Sequence, residues 1–240
     1  MKTNLNLLLA ILLLSFTATS CFNTIFEYGN GEIIEEQRSV PQFSSVSSDG
    51  SFDIYYEYAD TPSVLVSCES NLMQYIETAV FDGDLKIGTP NFVVIRPRKT
   101  IEVYVKGPQV DKILLSGSGL IHTDTIRTSD LTLRISGSGD IETIFIGKNL
   151  STTISGSGDI RSYIECEKYE VVISGSGKIF PQGWADKSIY TISGSGNVRG
   201  YDFPVLDAIV NISGSGNVYY IGHPNIERNI SGSGNIINDN

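Results

Sequence analysis

The chain has 240 residues, 40% hydrophobic, 18% charged and 10% aromatic, with 24 glycines and a formal net charge of −10. That length and apolar content support one or two domains with a real core and argue against a disordered chain. Twenty-seven carboxylates against 17 scattered Lys and Arg argue against nucleic acid or an anionic membrane surface as a partner, and two His with three Cys leave little for a His- or Cys-based metal site. No cofactor is expected.

Residues 1–20 read as an export signal. Lys2 is the only charge, an apolar run extends from Leu7 to Phe16, and small residues from Thr17 to Ser20 precede Cys21. The apolar run is shorter than the roughly 18 residues that span a bilayer. Ala18-Thr19-Ser20-Cys21 is similar to a bacterial lipobox, with Ala where Leu is preferred. Residues 1–20 are therefore expected to be a lipoprotein signal peptide and Cys21 the lipidation site. An ordinary signal peptide cut near Ser20 is the alternative. Acyl chains contribute about 0.8 kcal/mol per buried CH2, so two or three on one residue anchor stably. Loss of Lys2 takes the charge from −10 to −11. Residues 21–39, with Glu27, Glu32, Glu35 and Glu36 among Asn23, Gly29, Asn30 and Gly31, predict an acidic, solvated tether.

Residues 40–115 carry strand signatures. Phe52, Ile54, Tyr56 and Tyr58 alternate with Asp53, Tyr55 and Glu57. Val64, Val66 and Cys68 share a face, as do Leu85 and Ile87, and Ile101, Val103 and Val105. Asp49-Gly50, Asp82-Gly83 and Gly107-Pro108 supply turns. These residues predict irregular early coils of a single domain over 40–240, with a small separate β-sandwich as the alternative. Arg96, Arg98 and Lys99 form the one basic knot, expected as a charge guard at a strand end.

From residue 116 a repeat takes over. Ser-Gly-Ser-Gly begins at Ser116, Ser136, Ser155, Ser174, Ser193, Ser213 and Ser231, at spacings of 18 to 20, and holds 14 of the 24 glycines. An aliphatic residue precedes each copy, from Leu115 to Ile230, and another follows two places after it: Ile121, Ile141, Ile160, Ile179, Val198, Val218 and Ile236. A looser third apolar position runs through Ile126, Ile146, Cys166, Trp184 and Phe203. This period is too short for helical repeats or propeller blades, and it lacks a leucine-rich ladder. It predicts an all-β chain, a right-handed single-stranded parallel β-helix (β-solenoid) with about 19 residues per coil. Seven tiers about 4.8 Å apart span roughly 29 Å. Glycine suits a tight stacked corner, through positive φ or close backbone approach, and the serines suit a hydrogen-bonded ladder. Cys68 and Cys166 read as small buried hydrophobes, separated by too many coils to favour a disulfide.

Enzyme motifs are absent. Gly-x-Ser-x-Gly does not occur, seven equivalent serines share only His122 and His223, and no Lys-Ser or Lys-Thr follows a glycine loop. Asp follows the repeated string only at Asp140 and Asp159, unlike calcium-binding β-rolls. Asp124, Asp140, Glu142 and Asp159 could stack on adjacent coils as a glycan-cleaving cluster, but a solvated face explains them equally. Tyr219 and Tyr220 could form a sugar platform or pack the last coils. No catalytic or metal residue is assigned.

The lipoprotein-like start, the strand-rich residues 41–115 and the Ser-Gly-Ser-Gly-x-Ile tiers together resemble the family of the putative auto-transporter adhesin, head GIN domain. The resemblance implies a single-stranded β-helix outside the cytoplasm and brings no catalytic residues. With no membrane β-barrel before Asn240, self-export is not expected. The functional expectation is a non-enzymatic, lipid-anchored cell-envelope protein, at the outer membrane, presenting a rigid solenoid face to a glycan or protein. A self-associating structural envelope protein, pairing through its last tier, is the alternative, and a glycan-active enzyme the third.

Overall fold

The computed structural model describes residues 24–239, so the leader and Cys21 lie outside the described residues. The early strands are β1 (Ile25–Tyr28), β2 (Ile33–Ser39), β3 (Ser45–Asp49), β4 (Phe52–Tyr58) and β5 (Ser63–Glu69). They continue with β6 (Glu77–Phe81), β7 (Asp84–Gly88), β8 (Val93–Arg96) and β9 (Ile101–Gly107). β10 (Lys112–Leu115) leads into four long bent strands, β11 (Leu120–Ile135), β12 (Asp140–Ile154), β13 (Ile160–Ile173) and β14 (Lys178–Ile192). The last coils hold β15 (Asn197–Arg199), β16 (Val205–Ile212), β17 (Val218–Tyr220), β18 (Asn225–Ile230) and β19 (Ile236–Asn238). Seventeen of these strands belong to one continuous sheet wound as a β-solenoid, and β1 pairs with β8 alone.

Register follows the repeat. Ile121 pairs with Ile141, Ile141 with Ile160, Ile160 with Ile179, Ile179 with Val198 and Val198 with Val218, one inward column of aliphatic side chains. A second column stacks Leu115, Ile135, Ile154, Ile173, Ile192 and Ile212, all buried. Each such side chain contributes about 1.5–3 kcal/mol of burial. The third apolar set keeps Ile126, Cys166 and Phe203 buried, but differs from its expected positions at Ile146 and Trp184. Ile126 faces Phe145 and Phe145 faces Ile164, while Trp184 is 45% exposed. A bulge between His122 and Thr125 shifts the register, so a fixed count along the repeat misplaces this column.

The corner glycines are there for contact. A Cβ on Gly137, Gly156, Gly175 or Gly194 would overlap the carbonyl oxygen of the equivalent glycine one coil below. None of the string glycines has positive φ, so close stacking and not a left-handed turn selects them. Their backbones form the ladder: Ser138, Ser157, Ser176 and Ser195 donate N–H to the glycine carbonyl below at 3.0–3.1 Å. The serine side chains are exposed, and the Ser116 and Ser136 hydroxyls approach only to 3.5 Å.

The early region obeys another order. β3 and β4 form the coil beneath β10 and the start of β11, but the coil beneath them is β7 with β9, from later in the chain. Antiparallel strands close that end: β6 on β7, β5 on β9, and β2 on β5. The acidic stretch expected as a tether is therefore strand from Ile25 onward. β2 covers the edge of β5, and β1 joins β8. Its charges resemble those of a spacer because an edge strand is solvated, and Glu35 and Glu36 are exposed there. Buried Glu69 fixes the segment, accepting hydrogen bonds from the N–H groups of Gly31 at 2.6 Å and Arg98 at 2.8 Å. Cys68 and Cys166 are both free and buried.

Candidate functional site

In each coil the residue after the inward aliphatic must point out, because side chains alternate along a strand. Those residues are His122, Glu142, Arg161, Phe180, Arg199 and Tyr219. Parallel register sets them above one another in a single outward column. The column continues downward through Tyr55 and Tyr104, whose rings stack with centroids 5.2 Å apart, and Tyr55 lies 6.4 Å from His122.

Neighbours in the column engage one another. His122 Nδ1 lies 3.3 Å from Glu142 Oε2. The Arg161 and Arg199 guanidinium groups sit 5.1 and 5.6 Å from the centroid of Phe180, one from each side along the axis, a cation–π sandwich. Tyr219 meets Tyr201 edge-on at 5.4 Å. Two residues further along the strands a second ridge carries Ile144, Tyr163 and Gln182, in register with one another. Between the ridges runs a trough of about 580 Å³, floored by Thr123, Thr143 and Ser162. These small inward side chains leave the floor low, and the Thr123 and Thr143 hydroxyls bond to each other at 2.7 Å inside the coil. Tyr163 donates to Glu165 at 3.0 Å, and that bond, with the carboxylate's charge, raises its phenol above the usual tyrosine range.

The four acids singled out in the sequence have separate structural duties. Asp140 Oδ1 accepts the N–H of Asp159 at 2.8 Å, and Asp159 Oδ1 accepts that of Lys178 at 2.9 Å. Asn197 and Asn217 do the same for Asn217 and Asn235, both at 2.9 Å. Where the lower coil carries Leu120 or Lys178, with no side-chain acceptor, the N–H of Asp140 or Asn197 turns to the carbonyl of Gly119 or Gly177. The residue after the string is thus an Asx rung that satisfies the coil above. Arg161 bridges Asp140 and Asp159 at 3.5 Å each, Glu142 faces His122, and Asp124 accepts the N–H of Thr125 at the bulge. Asp124 and Glu142 both line the trough, the first bonded to the Thr125 N–H at 2.8 Å and the second facing His122 at 3.3 Å. Among the described residues no group of three or more His, Cys, Asp or Glu is placed to hold a metal ion. Tyr219, named in the sequence as a candidate platform, lies in the column, with Tyr220 beside it in β17. Glu142, named among the four acids, also lies in the column; that these residues form one column was missed, although the position after each repeated aliphatic was a signal available in the sequence.

A family described as putative auto-transporter adhesin, head GIN domain, matches residues 42–162 and again 142–240. The chain belongs to this family. Three solved structures share its fold. A protein of Parabacteroides distasonis described as a putative lipid binding protein superposes with a TM-score of 0.82 at 25% identity, over 90% of this chain and 100% of that one. A putative adhesin of Parabacteroides merdae gives 0.80 at 19% identity, over 90% and 100%. Another from P. distasonis gives 0.80 at 20%, over 89% and 99%. No curated protein matches. Among the described residues no helix is long and apolar enough to cross a membrane.

Proposed function

We propose that this family member is a lipid-anchored protein of the bacterial envelope that holds an extended glycan or protein strand along its outward ladder and catalyses no reaction. The observation that carries the reading is the unbroken outward column from Tyr104 to Tyr219 with the two-ridged trough beside it. Consecutive coils present aromatic and charged groups about 4.8 Å apart, which suits a repetitive polymer better than a small metabolite. Tyr163, 42% exposed, offers ring surface for sugar faces, while His122, Glu142 and the Arg161 guanidinium held against Phe180 offer donors and acceptors for hydroxyls. Similarity to structures described as putative adhesins accords with a binding role, as does the one described as lipid binding. The lipobox-like run Ala18-Thr19-Ser20-Cys21 supports an envelope location.

A glycan array probed beside intact bacterial cells tests the ladder. Binding of the wild-type chain to at least one glycan class or cell surface is the expected result, and silence on both overturns the reading. A second reading, self-association, is favoured by one feature: among the described residues β18 is in register with β16 and β19 with β17, each on one side. Concentration-dependent sedimentation supports it, and a monomer at every concentration removes it.

A further inference from the structure

The coil formed by β7 and β9 lacks the Ser-Gly-Ser-Gly corner. In its place the chain leaves the solenoid as β8 and pairs in parallel with β1, forming a two-stranded flap. The inner side of β8 is anchored, since Ile95 packs against the core and Val93 and Ile95 face Gly50 and Phe52 across a small cleft. The outer side is apolar and exposed: Phe26 at 57%, Tyr28 at 64% and Val94 at 38%. Phe26 lies opposite Val94, and Tyr28 opposite Arg96. Glu27, between the two aromatics, accepts a hydrogen bond from Asn71.

Charge complements this apolar face locally, although the net charge of the whole chain argues against an anionic membrane surface. Arg96, Arg98 and Lys99 are exposed at the end of β8, the densest basic cluster in a chain of net charge −10. Among the described residues no carboxylate lies within ion-pair distance of their side chains. The distance to the anchor is short as well. Cys21 precedes the first described residue, Thr24, by three positions, and three residues of chain reach at most about 11 Å. A lipid on Cys21 therefore places β1 at the bilayer surface.

We infer that the β1–β8 flap is the face this protein lays on an anionic lipid bilayer, with Phe26, Tyr28 and Val94 entering the headgroup zone and Arg96, Arg98 and Lys99 meeting lipid phosphates. Aromatic side chains with an apolar body and a polar tip favour that zone, and basic side chains are drawn to anionic headgroups. The inference rests on the reading that Cys21 carries the lipid, and it gives that anchor an orientation. The flap meets the membrane while the ladder, running along the coils, stays in water.

The test uses the chain from residue 22, which contains every described strand and no acyl group. It is sedimented with vesicles of phosphatidylethanolamine and phosphatidylglycerol, and with vesicles of phosphatidylcholine. Binding to the anionic vesicles is expected to fall at least about tenfold in the triple variant Arg96→Glu, Arg98→Glu, Lys99→Glu, and in the double variant Phe26→Ser, Tyr28→Ser. A charge-matched variant elsewhere, Lys112→Glu, Arg134→Glu, Lys187→Glu, should bind as wild type. All three should melt with the wild type, because only exposed side chains change. Flap variants that bind like wild type overturn the inference, as does an equal loss in the distant variant. Fatty-acid labelling of the full chain in the expressing bacterium separates the two readings. A wild type that labels, beside a Cys21→Ser form that does not, upholds the anchor even where the vesicles refute the flap. An unlabelled wild type removes the anchor, and the inference with it.

Discussion

The repeat coils and the early region use one sheet in opposite ways. From residue 116 onward, chain order and spatial order coincide, and each coil rests on the one before it. Before that, residues 84–107 slip beneath residues 45–58, and three antiparallel strands close the stack. The difference shows what the glycine string does. Backbone stacking at a glycine corner lets the solenoid propagate, and where the corner is absent the chain is free to reverse, cap the sheet edge and project a flap. Propagation and termination are thus written in different residues of one domain.

Alkali attacks both regions together. Burial is the main cause that pushes the Cys68 thiol up to about 11 and the Cys166 thiol up to about 12 from an ordinary 9.0, and the Tyr190 phenol up to about 12 from 10.0. Groups raised on folding give stability that is complete below their unfolded values and lost as pH climbs through the folded ones. Denaturation midpoints should therefore hold to about pH 9 and collapse towards pH 12, and a flat profile would contradict the burial. Within the repeats, Gly156→Val should cost about 3 kcal/mol or more, read as a lowered melting temperature, because its side chain meets the Gly137 carbonyl. An unchanged melting temperature contradicts the corner assignment. In the early region Glu69→Ala should cost about 2 kcal/mol by orphaning the N–H groups of Gly31 and Arg98. Hydrogen exchange should then quicken in residues 25–39 and 92–99 while the repeat amides stay protected; uniform quickening would mean that the two regions open as one. Asn217→Ala removes the rung beneath Asn235 and should cost about 1 kcal/mol, whereas Ser157→Ala, an exposed hydroxyl, should stay within about 0.5 kcal/mol.

The solenoid was legible because its period is enforced by geometry: an aliphatic on each side of a glycine corner can stack only on its own copy. The early strands were legible singly, as the alternation through Phe52, Ile54 and Tyr56 became β4. Their order was not, because pairing β7 under β3 is a contact between distant segments that no local pattern records. β2 was missed for a related reason. Its Glu35 and Glu36 look like spacer charges until Val64 and Val66 are seen to need an edge covered. The candidate ladder lay in plain sequence, one place after each repeated aliphatic. Glu142 and Tyr219 stood out singly, but not as one column, because His, Glu, Arg and Phe share no chemistry by type, and only register makes them neighbours.

The central claim is that the outward column beside the trough is the binding face. The direct measurement compares wild type with Phe180→Ala and Tyr163→Ala, and with Thr153→Ala and Val172→Ala on the other outward face of β12 and β13, on whichever glycan or cell surface the wild type binds. A loss of about tenfold or more confined to the trough variants is the predicted result. Equal binding by all four variants, or an equal loss on both faces, would contradict it.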